Sequence, residues 1–170
     1  PPRSTLFPYT TLFRSDLCLA NGADEGFVYP SENLDRDQQK ELSNKIKELT
    51  GGMGPNVIYD PVGGTYAEPC LRSRAWEGRY LIVGFAAGDI PKVPLNLPLL
   101  KGCQIVGVFW GNFMMKNPSE GMRNSIELMQ YFSEKKINPY IQKTYRLKDA
   151  PKALEDMMSR KVMGKIVITT

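Results

Sequence analysis

Three short motifs carry the residue types that could hold a small ligand for chemistry. They are Tyr59-Asp60-Pro61-Val62-Gly63-Gly64, Gly84-Phe85-Ala86-Ala87-Gly88 and Val106-Gly107-Val108-Phe109-Trp110-Gly111. Each joins an apolar run to glycines, and glycine lets a backbone turn sharply or come close to a flat or charged ligand. One such motif alone reads as a turn whose glycines serve geometry. Three in succession fit a shared crevice for a planar ligand. Phe109 and Trp110 stand either in that crevice or as core or interface aromatics.

The other reactive residue types narrow the field. The chain has no histidine, so imidazole acid–base catalysis and histidine metal ligation cannot come from these residues. Cys18, Cys70 and Cys103 are too scattered for a disulfide framework or a CxxC zinc pair. Cys70, inside a predicted helix, and Cys103, at a strand start, read as small buried apolar groups, because no histidine activates them. Lys40, Lys45 and Lys47 fall on the polar side of a helix, where charge is normally solvated. Arg160 and Lys161 follow the last predicted helix; they either complement its carboxyl end or reach a phosphate.

The elements that must position these groups alternate between strand and helix. Asp16–Asn21 with Gly22 reads as a helix end, and Phe27-Val28-Tyr29 as a short strand closed by Pro30. Ser31 or Asn33 is the expected cap of a helix whose apolar face is Leu34, Leu42, Ile46 and Leu49 and which stops at Gly51-Gly52. Strands are expected at Val57–Tyr59, Tyr80–Phe85 and Gln104–Trp110, with a helix over about Tyr66–Trp76. Met122, Ile126, Met129 and Phe132 mark an amphipathic helix over about Ser119–Lys135. Gln142–Leu147, a helix over Ala150–Ser159 and Ile166–Thr169 complete the chain. Such alternation predicts an α/β fold with a mostly parallel, doubly wound sheet, whose ligands bind at the carboxyl ends of the strands.

Composition supports a globular reading: 170 residues, 42% apolar and 24% charged, with no apolar run near 20 residues. The net charge of +4 suggests nucleic acid, but two of its cations stand in a segment that reads as foreign. Pro1–Ser15 has no acidic residue, repeats Thr-Leu-Phe and shows no helical or strand period. Thr5–Ser15 resembles the in-frame translation of a sequencing adapter, so residues 1–15 are expected to be a non-native scar. Without Arg3 and Arg14, 20 basic residues face 18 acidic ones, a net of +2. No Lys/Arg stripe remains for nucleic acid, and none is expected as a partner.

Taken together, Leu49–Gly54, Tyr59–Gly64, Trp76-Glu77-Gly78-Arg79 and Val83–Gly88 resemble the medium-chain dehydrogenase/reductase superfamily. Ile90–Asn96, Val106–Gly111 and the closing Gly164-Lys165-Ile166-Val167-Ile168 are similar to its quinone oxidoreductase branch, nearest to the quinone oxidoreductase-like proteins. The resemblance runs in order from Asp16 to Thr170. It implies a protein of about twice this length, in which residues 16–116 are part of a Rossmann domain. Residues 117–170 then return to a GroES-like catalytic domain. The glycine-rich phosphate loop would precede Asp16, and no G-x-G-x-x-G occurs after it. The chain alone is therefore expected to bind cofactor weakly or not at all.

The resemblance also assigns roles. Tyr29 matches the tyrosine at the adenosine-phosphate end of the cofactor, and Pro61 a position beside the adenine ribose. Phe85 and Ala86 match the loop passing the nicotinamide ribose, and Phe109 and Trp110 the segment that meets the nicotinamide amide. Arg160 matches a basic contact near the carboxyl terminus. The implied cofactor is NADPH, the implied substrate a quinone or electron-poor enone, and the implied enzyme zinc-independent. Groups that polarise the substrate would lie outside this chain, so no catalytic residue is named. Alternatives are an enoyl-thioester reductase of the same superfamily and a non-catalytic, crystallin-like NADPH-binding protein. A homodimer through the Gln104–Trp110 edge, and a cytoplasmic or mitochondrial location without membrane insertion, complete the expectations.

Overall fold

The computed structural model describes residues 12–30, 33–159 and 162–170. The chain divides into two compact units between Phe109 and Trp110.

The first unit opens with α1 (Leu12–Ala20), which ends before Gly22 at φ +96°. The helix thus starts inside the stretch expected to lack helical period. Phe27–Tyr29 forms no strand. Its rings fold onto the unit, Tyr29 lying 5.2 Å from the Tyr66 ring and Phe27 5.8 Å from Tyr29.

Helix α2 (Arg36–Leu49) is capped by Asp35, not by Asn33; Ser31 lies outside the described residues. The Asp35 carboxylate accepts from the Gln38 amide at 2.9 Å, and the Gln38 side chain accepts from the Asp35 amide at 3.0 Å. This reciprocal box satisfies two donors that a bare helix start leaves open. Leu42 and Ile46 on α2 pack with Leu34, Val62 and Tyr66 in one buried cluster. The helix stops where Gly51 and Gly52 take positive φ and Gly52 returns its N–H to the Lys47 carbonyl at 2.7 Å.

Three four-residue strands follow: β1 (Val57–Asp60), β2 (Arg79–Ile82) and β3 (Gln104–Gly107). They pair in parallel in the order β1-β2-β3, with Tyr59 opposite Leu81 and Leu81 opposite Val106. A 3-10 turn at Gly64–Tyr66 leads from β1 into α3 (Ala67–Ser73), and α4 (Asn96–Lys101) precedes β3. Ile58, Ala67, Leu71 and Tyr80 form a second buried cluster where α3 covers one face of the sheet. Strands β2 and β3 end earlier than their apolar runs. The Val83 N–H makes the last bond to β1, at the Asp60 carbonyl, which Gly84 shares at 3.4 Å, and the chain past Phe109 turns helical.

The second unit comprises α5 (Trp110–Lys116), α6 (Pro118–Ser133), β4 (Ile141–Arg146), α7 (Ala150–Met158) and β5 (Lys165–Thr169). Strands β4 and β5 are parallel and joined through α7, a βαβ unit. Buried Tyr145 donates its hydroxyl to the Asp156 carboxylate and so ties β4 to α7. The apolar positions of α6, Met122, Ile126, Met129 and Phe132, are all more than half exposed. Among the described residues no helix is long and apolar enough to cross a membrane.

Candidate functional site

Because β1, β2 and β3 are parallel, their last residues Asp60, Ile82 and Gly107 open at one end of the sheet. The loops that leave the first two strands are joined by backbone hydrogen bonds. Val83 and Gly84 donate to the Asp60 carbonyl at 2.9 and 3.4 Å. Ala86 and Ala87 donate to the carbonyls of Pro61 and Val62, each at 3.0 Å, and Gly64 donates to the Asp89 carbonyl at 3.1 Å.

The Asp60 side chain sits at the root of this arrangement. It is 5% exposed, so its carboxylate needs donors within the protein. Its Oδ1 accepts from the amides of Val62 at 2.8 Å and Gly63 at 3.0 Å, and its Oδ2 accepts the Tyr80 hydroxyl. Burial first, then the hydrogen bond to Asp60, raises the Tyr80 phenol above its ordinary value. Burial, with a smaller contribution from the Asp60 charge, pushes the Cys70 thiol up to about 12. Cys70 is therefore a protonated packing group at neutral pH, in line with its sequence reading.

The two glycines after Pro61 permit a close approach within the protein. Gly63 has φ +68°, and a Cβ there would come within 2.8 Å of the Phe85 ring; at Gly64, φ +58°, it would come within 2.9 Å of Ala87. The approach they permit is that of one loop to the other. Gly107, by contrast, has nothing within 4 Å of a Cβ position and leaves open backbone at the end of β3.

Most of the expected site residues gather on this framework. Pro61 is half-buried between the loops, while Phe85 and Ala86 are exposed at their rim. Tyr29 joins the same apolar cluster as Val62, Tyr66 and Ala87, and the Tyr66 hydroxyl donates to the Pro30 carbonyl at 2.8 Å. Tyr29 also lines a cleft of about 800 Å³ beside α2, where Lys40 and Lys45 stand among Asp37, Glu41 and Glu48. Lys45 is paired with Glu48 at 3.0 Å, which agrees with the solvated reading of these lysines. Phe109, just beyond β3, is 74% exposed. Trp110 opens α5 and stacks on Phe113 at 5.4 Å. Arg160 and Lys161 lie outside the described residues. Sequence reasoning missed the Asp60–Tyr80 pair: an aspartate closing a strand ahead of Pro-x-Gly-Gly signals a turn, but Tyr80 carries no local mark of its partner.

Parallel strands crossed by helices, with loops gathered at their carboxyl ends, define a Rossmann-type α/β protein. Residues 21–168 match the family model described as zinc-binding dehydrogenase. The chain belongs to that family, within the medium-chain dehydrogenases/reductases. It is 39% identical over 151 residues to quinone oxidoreductase-like protein 2 homolog of Nematostella vectensis, covering 88% of this chain and 39% of that protein. Quinone oxidoreductase-like protein 2 of Mus musculus is 33% identical, over 94% of this chain and 47% of its own length. A mycobacterial protein solved with NADPH superposes with a TM-score of 0.83 at 25% identity, over 98% of this chain and 50% of its own. The chain thus spans half or less of the length of these relatives.

The family's description names zinc, and the residues here do not fit that metal. Among the described residues no three His, Cys, Asp or Glu side chains group as a ligand set, and the chain has no histidine. No step is assigned to a metal on this chain.

Proposed function

We propose that this chain is the carboxyl-terminal half of an NADPH-dependent oxidoreductase acting on a quinone or an electron-poor enone. The observation that carries the reading is the gathering of Pro61, Phe85, Ala86 and Phe109 at one end of a parallel sheet. Membership of a dehydrogenase family, and likeness to a protein solved with NADPH, support the same choice.

Bound NADPH supplies a hydride from C4 of its nicotinamide, and a proton completes reduction of the acceptor. In this reading Tyr29 holds the adenosine-phosphate end and Pro61 lies beside the adenine ribose. Phe85 and Ala86 border the nicotinamide ribose. The backbone of Phe109 and Trp110 meets the carboxamide, and Arg160 adds a cationic contact. Open backbone at Gly107 and the exposed rim of Phe85 and Ala86 fit a flat ligand. No described residue forms a glycine-rich phosphate loop, so the pyrophosphate is assigned to sequence preceding Asp16. Residues 16–116 then complete a Rossmann domain and residues 117–170 return to a catalytic domain. Pairing of two copies through β3, an edge strand of its sheet, and chemistry without zinc belong to the same reading.

The test is the gene upstream of Asp16. The proposal expects a β-rich segment and a glycine-rich βα loop, and a protein so extended that oxidises NADPH with quinones. An upstream sequence with neither feature overturns it. Turnover of enoyl thioesters in preference to quinones replaces the substrate assignment.

A further inference from the structure

Both oxygens of the buried Asp60 carboxylate accept hydrogen bonds from elements that shape the strand-end loops. Oδ1 fixes the first two amides of the turn after Pro61, and Oδ2 takes the Tyr80 hydroxyl from the neighbouring strand. The backbone carbonyl of the same residue takes the two amides that end β2. Five donors from both sides of the β1–β2 junction thus converge on one residue. We propose that Asp60, held by Tyr80, is a positioning residue: it locks the Pro61–Gly64 and Val83–Asp89 loops into one arrangement, so that Pro61 and Phe85 present a fixed edge to the cofactor. The cofactor part of this proposal rests on the function proposed above.

The geometry distinguishes this role from simple core packing. Tyr80 is 2% exposed among Ile58, Ala67 and Leu71, and its ring packs there whether or not its hydroxyl is present. Tyr80→Phe therefore keeps the packing and removes one donor from Oδ2. The loops lie beyond that cluster and answer to the carboxylate. Phe85 is coupled to the turn directly, since its ring occupies the space a Cβ on Gly63 would need. A shift of the turn is a shift of Phe85.

Two measurements test the proposal. The first is amide hydrogen exchange in this chain. Tyr80→Phe should speed exchange at Val62, Gly63, Ala86 and Ala87 by about tenfold, the worth of a hydrogen bond to a charged group. Amides of α2 and α3 should stay within twofold. Asp60→Ala should release the same four amides further. Asp60→Asn should largely restore them, because a carboxamide oxygen still accepts from the turn and its NH2 can donate to the Tyr80 oxygen. Uniform acceleration through the unit, or no rescue by asparagine, overturns the proposal. The second is steady-state kinetics in the protein carrying its native upstream sequence. Tyr80→Phe should raise KM for NADPH several-fold and leave kcat within twofold. Loosened loops with an unchanged KM overturn the positioning role. Absence of NADPH turnover in the unsubstituted protein defeats the functional reading instead and leaves the exchange pattern to decide whether Asp60 locks the loops.

Discussion

Arg74 closes α3 with a guanidinium that is 1% exposed. Its Nη1 donates to the Gly78 carbonyl at 2.8 Å, while Nε and Nη2 meet no acceptor among the described residues. Burial lowers its proton affinity; burial first, then the charges of Lys47 and Arg74, also lowers that of the Lys101 amine. Arg74→Met keeps most of the side-chain length and removes the charge. The lost hydrogen bond is worth about 1.5–3 kcal/mol. Its acceptor is not orphaned, because the Gly78 carbonyl also receives the Gln104 amide at 3.2 Å. Relief of two buried donors without acceptors is worth about 1–3 kcal/mol each. The balance favours methionine by about 2 kcal/mol, within the gain seen when buried charged groups give way to apolar ones. For a chain of this size that is a rise in Tm of roughly 4–8 °C. Trp76 lies in the unit that contains Arg74, and Trp110 is the only other tryptophan. Urea unfolding followed by Trp76 fluorescence in a Trp110→Phe background reads the right unit. A loss of 1 kcal/mol or more would refute the reasoning and mean that Nε and Nη2 are satisfied in solution.

Gly63→Ala places a side chain at φ +68°, ψ −139°, in line with the Phe85 ring. It should cost about 1–3 kcal/mol in thermal melts and displace Phe85; a neutral substitution contradicts the close-packed loops. Asp35→Ala breaks the capping box of α2 and should cost about 1 kcal/mol in urea unfolding, an unchanged midpoint being the contrary result. Alkaline stability follows from Cys70 and Tyr80, both raised in the folded chain from reference values of 9.0 and 10.0. The unfolded chain then gives up these protons first. The Cys70 contribution is therefore full below about pH 9 and the Tyr80 contribution below about pH 10, and each falls above that point by about 1.4 kcal/mol per pH unit. Tyr80→Phe and Cys70→Ala should each flatten that fall, and a slope unaltered by both would contradict their burial.

The helices with strong local signals were readable from sequence. The i, i+4 spacing of Leu42 and Ile46 and the stop at Gly51-Gly52 specify α2, and the apolar runs of β1 and β5 specify strands. Apart from the local cap of α2, what escaped depends on partners distant in sequence. Asp35 took the cap from Asn33 because its box with Gln38 satisfies two donors rather than one. Phe27–Tyr29 has strand composition, yet it packs through the Tyr29 ring on Tyr66, far along the chain. Ile82 ends β2 where the loop beyond it crosses to the Pro61 and Val62 carbonyls through Ala86 and Ala87, contacts spanning more than twenty positions. At the candidate site, the strand-end motifs were legible as glycine and small-residue clusters. Which way the glycines faced was not, since that depends on Phe85 and Ala87 arriving from another loop.

The central claim is that these strand-end loops are half of an NADPH site in an oxidoreductase. Quinone-dependent NADPH oxidation by the protein expressed with its native sequence upstream of Asp16 tests it most directly. The account predicts turnover in which one NADPH is consumed per quinone reduced to hydroquinone. Failure of that extended protein to bind and to oxidise NADPH would contradict it.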